Sequence, residues 1–397
     1  MLHVTLPRAL TLALALTLAL ALVVPVAGTS SFVLPSERMG WTAASVFPAA
    51  IPTISIDLDL APEDRWTAAV GDMLKNHGFE NSFGHIVQFW NKALPSILGD
   101  AVDDIAASLE DYVPAEYAAE MKGLHAALVA AGHADAMPFS RLVALNLLYE
   151  FTTACTSIVS RDAAGATWHS RNLDWTFDGF SLANLTVIAQ FTSGGKVQYE
   201  SITWVGYVGV LTGMAHNVFS VTIDQRTSHS YLEILRNLER MKHDGAQSVV
   251  LAARSALASA TSFDAAVHAL STAPLAAEVY FIVGGADADQ GCVITRTYTG
   301  VDHGLYCMPH GRTAPWFVLE TNYDYWKAAP SRDDRRAVAS AAMTALGGPA
   351  GVNATSLWGI MQTPGSKFHT RGVLNSLTQY TVIMSPTTGH FAGWVWQ

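Results

Sequence analysis

The spacing of the apolar residues changes abruptly at one point in the chain, and that change limits what the sequence can build. Upstream of Cys155, between Ala61 and Phe151, apolar residues recur every three or four positions over 100–112, 115–131 and 139–151. Leu142, Leu145, Leu148 and Tyr149 show the stripe, which lines one face of a helix. From Cys155 onward that helical spacing gives way to short strand-like runs around turns, over 155–160, 167–172, 185–192, 197–204, 207–212 and 218–223. Helical spacing returns at 230–241, 246–257 and 263–270, followed by strands at 279–283, 292–298 and 316–320. A helix at 335–346 and strands at 380–384 and 391–396 close the chain, and one early strand stands at 54–60. No internal repeat is visible. Strand runs alternating with helix groups predict an α+β fold: antiparallel sheets covered by helices, behind an N-terminal helical segment.

Hydrophobic residues make up 50% of the chain and charged residues 14%, against about 25% charged in ordinary soluble domains. A disordered or collagen-like chain is excluded. A net charge of -10 without any Lys/Arg block argues against a nucleic-acid partner. Part of the apolarity belongs to the first 28 residues. Arg8 precedes an uncharged Leu/Ala/Val stretch over 10–24, which Pro25 breaks before the small residues Val26-Ala27-Gly28. This is the pattern of a secretory signal peptide over 1–28, shorter than the roughly 20 residues of a membrane span; a tilted membrane anchor is the alternative. The rest is expected to be a soluble, luminal or secreted protein with a large core. The sequons Asn184-Leu185-Thr186 and Asn353-Ala354-Thr355 fit that route.

Three cysteines, Cys155, Cys292 and Cys307, exclude a disulfide-dense scaffold, and their odd number flags a free thiol. No CxxC, HExxH or zinc-type Cys/His spacing occurs among the 14 histidines. Asp287 and Asp289 before Gly291 lack a full calcium loop and read as a turn. No metal or cofactor is expected. Cys155 lies in Thr153-Ala154-Cys155-Thr156-Ser157, where helix gives way to strand, and Arg171-Asn172-Leu173-Asp174-Trp175 follows beyond a turn at Ala163-Ala164-Gly165. A hairpin there brings Arg171 and Asp174 beside Cys155. A cation and an anion near a thiol favour thiolate and can position a base. A lone cysteine is more often buried and inert. His169 is close by and shares a strand face with Arg171, and the residues alone leave both readings of Cys155 open.

The segment LYEFTTACTSIVSRDAAGATWHSRNLDW, 148–175, resembles the site of the acid ceramidase and N-acylethanolamine acid amidase family. These are N-terminal nucleophile hydrolases, related to the choloylglycine hydrolases. Six further stretches resemble that family in the same order: ISIDLDLAPEDRW (54–66), VGYVGVLTG (205–213), GCVITR (291–296), ETNYDYW (320–326), DDRR (333–336) and GVLNSLTQYTVIMS (372–385). The resemblance spans nearly the whole chain after the leader. It implies an αββα sandwich of antiparallel sheets. It also implies self-cleavage between Ala154 and Cys155, giving a helical α-subunit (29–154) and a catalytic β-subunit (155–397) that stay together as a heterodimer.

The same resemblance implies the roles. The freed α-amine of Cys155 serves as the base, with a reference pKa of about 7.7–8.0. Asp174 orients that amine, and Arg171 anchors the Asp174 carboxylate. Asn322 supplies an oxyanion-hole amide. Arg335 braces the site electrostatically rather than touching the scissile bond, with its neighbour Arg336 as the rival, and Asp178 is a loop residue. Cys292 and Cys307, the two remaining thiols, are candidates for pairing across adjacent strands. One departure stands out: the family's Glu-Arg after the GYVG segment reads Asp224-Gln225-Arg226 here, which bears on the pH response.

The implied reaction is hydrolysis of a lipid amide through a Cys155 thioester. The first candidate is ceramide, giving sphingosine and a fatty acid, in a lysosomal or secreted setting. An N-acylethanolamine or a choloylglycine-type amide is the alternative, and a secreted lipid-binding protein is the non-enzyme alternative. Contact with a membrane surface or a lipid-presenting activator is a further expectation.

Overall fold

The strand runs that begin near Cys155 build two sheets lying face to face. A computed structural model describes residues 48–93, 103, 105–146, 153–175, 181–226, 231–309, 315–330, 333–364 and 372–396. Strands β1 (Pro48–Ala50) and β2 (Thr53–Asp57) come first. Helices α1 (Thr67–His77), α2 (Phe83–Ala93), α3 (Ala115–Ala130) and α4 (Phe139–Asn146) follow. Then come β3 (Thr153–Arg161), β4 (Thr167–Trp175), β5 (Thr186–Ser193), β6 (Lys196–Trp204), β7 (Thr212–Ala215) and β8 (Phe219–Gln225). Helices α5 (Tyr231–His243), α6 (Val249–Ser259) and α7 (Phe263–Thr272) lead to β9 (Val279–Gly285), β10 (Gly291–Thr297), β11 (Gly300–Cys307) and β12 (Phe317–Glu320). Helices α8 (Arg335–Ala345) and α9 (Ala354–Met361) precede β13 (Thr378–Ser385) and β14 (His390–Trp396).

The smaller sheet runs β1-β14-β13-β4-β3-β12 and the larger β11-β10-β9-β8-β7-β6-β5-β2. Every described pairing of named strands is antiparallel except β2 with β5. Period-two alternation along β3 assigns each face. Ile158 packs outward with Ala339, Met343, Leu357 and Ile360 of α8 and α9. Val159 packs inward with Ile282 and Val293 of the other sheet. Helices α6 and α7 cover the outer face of the larger sheet. The layers are therefore helix, sheet, sheet, helix.

The segment ahead of Cys155 is built into this core. β1 pairs with β14 at the edge of one sheet and β2 with β5 at the edge of the other. A buried charge cluster adds a second tie. Glu120 of α3, fully buried, accepts two bonds from Arg254 of α6, both 2.7 Å, one from Trp66 Nε1 at 2.8 Å and one from Arg65 at 2.9 Å. Burial alone would raise the Glu120 carboxyl, but the charge and hydrogen bonds of Arg254, together with the bonds from Trp66 and Arg65, more than reverse it and hold it below its ordinary value.

Most expected elements are present with shifted ends. The expected 139–151 helix is described to Asn146; Leu142 and Leu145 are buried, while Leu148 and Tyr149 lie outside the described residues, as do the leader and Asp178. In the 100–112 region the described part ends in a short 3-10 turn, Leu109–Asp111. The expected strand over 207–212 is wrong. Gly206 takes φ 110°, and a Cβ on Gly209 would meet Val250 Cγ2 at 2.5 Å, so no ladder forms until Thr212. The segment is buried, and side chains satisfy its backbone instead: Asn146 Oδ1 accepts from Val208 N (2.7 Å), Arg254 donates to Val208 O (2.9 Å), and Thr203 Oγ1 donates to Tyr207 O (3.0 Å). Strand β11 and helix α9 were not expected. β11 exposes Val301, His303, Gly304 and Leu305 and carries no alternation. Of the two sequons, Asn353 is exposed and caps α9, whereas half-buried Asn184 donates to Asn81 O at 2.9 Å.

Removing one member of a buried ion cluster strands the other. Glu120→Ala is expected to lower stability by about 3–5 kcal/mol in urea unfolding. Lys122→Ala, which breaks the exposed Lys122–Glu110 pair, should leave the unfolding midpoint nearly unchanged.

Candidate active site

Cys155 is the third residue of β3, and register decides its neighbours. It stands opposite Leu173, with Ser157 opposite Arg171 and Ala154 opposite Asp174. Residues two apart share a face, so the Cys155, Ser157 and Arg171 side chains point between the sheets. Arg171 is fully buried there. Its Nη2 donates to Cys155 Sγ (3.0 Å) and Ile223 O (2.7 Å). Its Nη1 donates to Leu211 O (2.7 Å), Tyr380 Oη (3.2 Å) and Thr212 Oγ1. Burial would discharge such a cation, but Cys155, Tyr380 and Asp224 outweigh it and raise the Arg171 pKa. Burial pushes the Cys155 thiol up to about 12; Arg171 pulls against this, and Asp224 adds to it.

Asp174 lies three residues from Arg171 on the same strand, and hence on its opposite face. Arg171 therefore turns its guanidinium toward Sγ, not toward Asp174, which corrects the expected anchoring pair. Asp174 accepts from Thr378 Oγ1 and Asn375 Nδ2, both 2.7 Å, and Arg335 Nη1 stands 3.6 Å away. A bulge in β13 between Thr378 and Tyr380 makes this possible. Residues two apart would normally share a face; the extra residue sends Thr378 to Asp174 and Tyr380 to Arg171.

Arg335, at the start of α8, reaches the backbone of the nucleophile directly. Its Nη1 donates to the carbonyl of Cys155, its Nη2 to Asn322 Oδ1 (2.8 Å), and Asp333 holds it from behind (2.7 and 2.9 Å). Arg336, its rival, instead donates to the carbonyls of Tyr323, Asp324, Tyr325 and Lys327 and holds that loop. Asn322 accepts from the Cys155 backbone N–H at 2.6 Å and gives an Nδ2 hydrogen to Gln225 O at 2.8 Å. The other four expected residues thus converge on Cys155, three by direct contact.

His169 shares the inner face but bonds Ser220 (2.9 Å) and Thr222 (3.1 Å), and burial pushes it down to about 3, so it stays neutral. Asn375, Thr378, Tyr380 and Thr212 were missed as partners. Their signal was polar side chains inside otherwise apolar stretches. Cys292 and Cys307 face each other across β10 and β11 and are disulfide-bonded. Asp287 and Asp289 sit in the turn before β10.

A sandwich of two mainly antiparallel sheets between helices, with a buried cysteine near the start of a central strand, defines the N-terminal nucleophile hydrolase fold. Residues 155–369 match the family model for linear amide C-N hydrolases, choloylglycine hydrolase family, and 49–113 match the beta subunit of N-acylethanolamine-hydrolyzing acid amidase. The chain belongs to the choloylglycine hydrolase family and is an amidohydrolase acting on linear C–N bonds. It is 33% identical to the N-acylethanolamine-hydrolyzing acid amidase of Mus musculus over 347 residues, covering 87% of this chain and 88% of that one. It is 32% identical to the acid ceramidase of Homo sapiens over 374 residues, covering 87% and 86%. The solved Caenorhabditis elegans N-acylethanolamine-hydrolyzing acid amidase ortholog superposes with a TM-score of 0.51 at 30% identity, over 61% of this chain and 99% of that one.

A lysine at position 171 cannot reach Sγ and the carbonyls of Leu211 and Ile223 together. Arg171→Lys is expected to slow iodoacetamide alkylation of Cys155 at pH 7 by about tenfold or more, one unit of thiol pKa. An unchanged rate would show that the thiol does not feel this guanidinium.

Proposed function

We propose that this chain is a self-processing lipid amidase of the secretory pathway. The leader 1–28 is removed on export to a lysosomal or extracellular setting. The chain then cuts itself between Ala154 and Cys155 into 29–154 and 155–397. The observation that carries this reading is the grip on Cys155: its nitrogen on Asn322, its carbonyl on Arg335 and its sulfur on Arg171. The family model for linear amide hydrolases also begins its match at residue 155. After scission, β1, β2 and the Glu120–Arg254 cluster would keep the two pieces in one body.

In the processed protein the α-amine of Cys155 takes the thiol proton, and Asp174, beside Ala154 in the register, orients it. The sulfur attacks the acyl carbonyl, and the S–C bond forms. The negative oxygen is met by the Asn322 hydrogen not given to Gln225, an amide having two. The C–N bond breaks as the ammonium returns its proton to the leaving nitrogen. Water then opens the thioester and releases the acid. The names of the relatives support ceramide and N-acylethanolamines as substrates.

Secreted wild type should run as two fragments under denaturing electrophoresis, the larger beginning at Cys155, and should release fatty acid from ceramide or an N-acylethanolamine assayed side by side. Cys155→Ala should remain one chain and release none. Scission of that variant at Ala154 would refute self-processing, and wild type inert on both amides would refute the lipid-amidase reading.

A further inference from the structure

The inner face behind the nucleophile holds a carboxylate that the reaction above does not use. Asp224, at the end of β8, is fully buried. Its Oδ1 accepts from Ser157 Oγ at 2.9 Å, and Oδ2 has no hydrogen-bond partner among the described residues. The nitrogen of Arg171 that lies 3.0 Å from Cys155 Sγ is also the one 4.0 Å from Asp224 Oδ1. One cation thus faces two groups that can each become an anion.

We infer that Asp224 is a positioning residue that competes with Cys155 for Arg171: protonated, it leaves the guanidinium to the sulfur, and ionised, it takes the guanidinium and restrains the nucleophile. This rests on Cys155 being the nucleophile, as proposed above. The groups around Asp224 favour such competition. Arg171 and Arg335 attract its charge, while Asp174 from β4 repels it. Glu320 from β12, Tyr380 from β13 and the Cys155 thiol each lose stability as anions in its presence. Burial dominates this balance and pushes Asp224 up to about 7 and Glu320 up to about 8.

The sign follows from counting protons. Below the titration of Asp224 the carboxyl is neutral, and the thiol ionises as if no competitor were there. Above it, forming the thiolate requires either a second anion beside Arg171 or the return of a proton to Asp224. The reactivity that a thiol gains with each pH unit therefore stops accruing near neutrality. A neutral Asn at 224 keeps the Oδ1 acceptor for Ser157 and removes the competitor.

The test is the rate of iodoacetamide alkylation at Cys155 in the secreted, processed protein between pH 5 and 9. Cys292 and Cys307 are disulfide-bonded, so Cys155 is the free thiol. Wild type should level off near pH 7. The α-amine of Cys155 titrates alike in both proteins, so the ratio of their rates isolates Asp224: Asp224→Asn should match wild type at pH 6 and exceed it about tenfold at pH 8, one pH unit above the titration of Asp224. Ser157→Ala, which removes a bond favouring the ionised carboxylate, should move the levelling point to higher pH and serves if Asp224→Asn does not fold. Superimposed curves, a constant factor at every pH, or a bend lost only in Glu320→Gln would each overturn the inference. Alkylation needs no amide substrate. Wild type that bends as expected yet hydrolyses no amide would refute the proposed function and leave the role of Asp224 standing.

Discussion

The guanidinium of Arg171, buried between the two sheets, is the contact on which the rest of this site depends. Burying a cation is costly unless its hydrogens and charge are met. Here two carbonyls, two hydroxyls and one sulfur meet its two terminal nitrogens, while the Nε hydrogen has no hydrogen-bond partner among the described residues. The carbonyls come from Leu211, at the end of the looped segment 205–211, and from Ile223 of β8, whose N–H donates to Leu211 O at 3.0 Å. That loop depends in turn on Gly206, Gly209, Asn146 and Arg254. The positions of the nucleophile, the loop and the helical segment are consequently linked through buried arginines, Arg171 at one end and Arg254 at the other.

Much of this was legible because strand period and helix period differ. The change at Cys155 marked the boundary between the helical segment and the sheets, and Val159 and Ile158 fall on opposite faces as alternation requires. The site was legible as a set of residues but not as a set of contacts. Arg171 and Asp174 are close in sequence, so pairing them was natural; strand pleating forbids it, since three residues along a strand reverse the face. The true partners, Thr378 and Asn375 for Asp174 and Tyr380 for Arg171, lie about two hundred residues away. A bulge brings them into place, and no periodicity announces it. The strand expected over 207–212 failed for a related reason: the run is apolar enough for a strand, but Gly206 takes a positive φ and Gly209 packs closely against Val250 of α6.

Arg335 shows how a sequence position acquires a role from a helix start. It opens α8 and so points back across the edge of the smaller sheet, where it meets the Cys155 carbonyl and the Asn322 amide together. Arg336, one residue on, is turned by about 100° around the helix and spends its donors on the loop carbonyls of 323–327. Two adjacent arginines of equal charge thus separate cleanly by geometry alone, one toward the nucleophile and one toward the loop that presents Asn322.

The inner faces near β3, β4 and β8 are polar where an ordinary sandwich core would be apolar. Asp224, Ser157, Thr222, His169 and Ser220 form one hydrogen-bonded file between the sheets. Hydrogen bonds in such a file rigidify their surroundings, and an unpaired member costs free energy. Burial holds His169 neutral, and the file fixes Ser157 against Asp224, so the carboxylate beside Arg171 has one oxygen tied and one open. An apolar core would pack as well, but it would leave Arg171 to the sulfur at every pH. The polar file makes the partner of that cation depend on a proton, and it does so from strands whose register is set far from the cysteine itself.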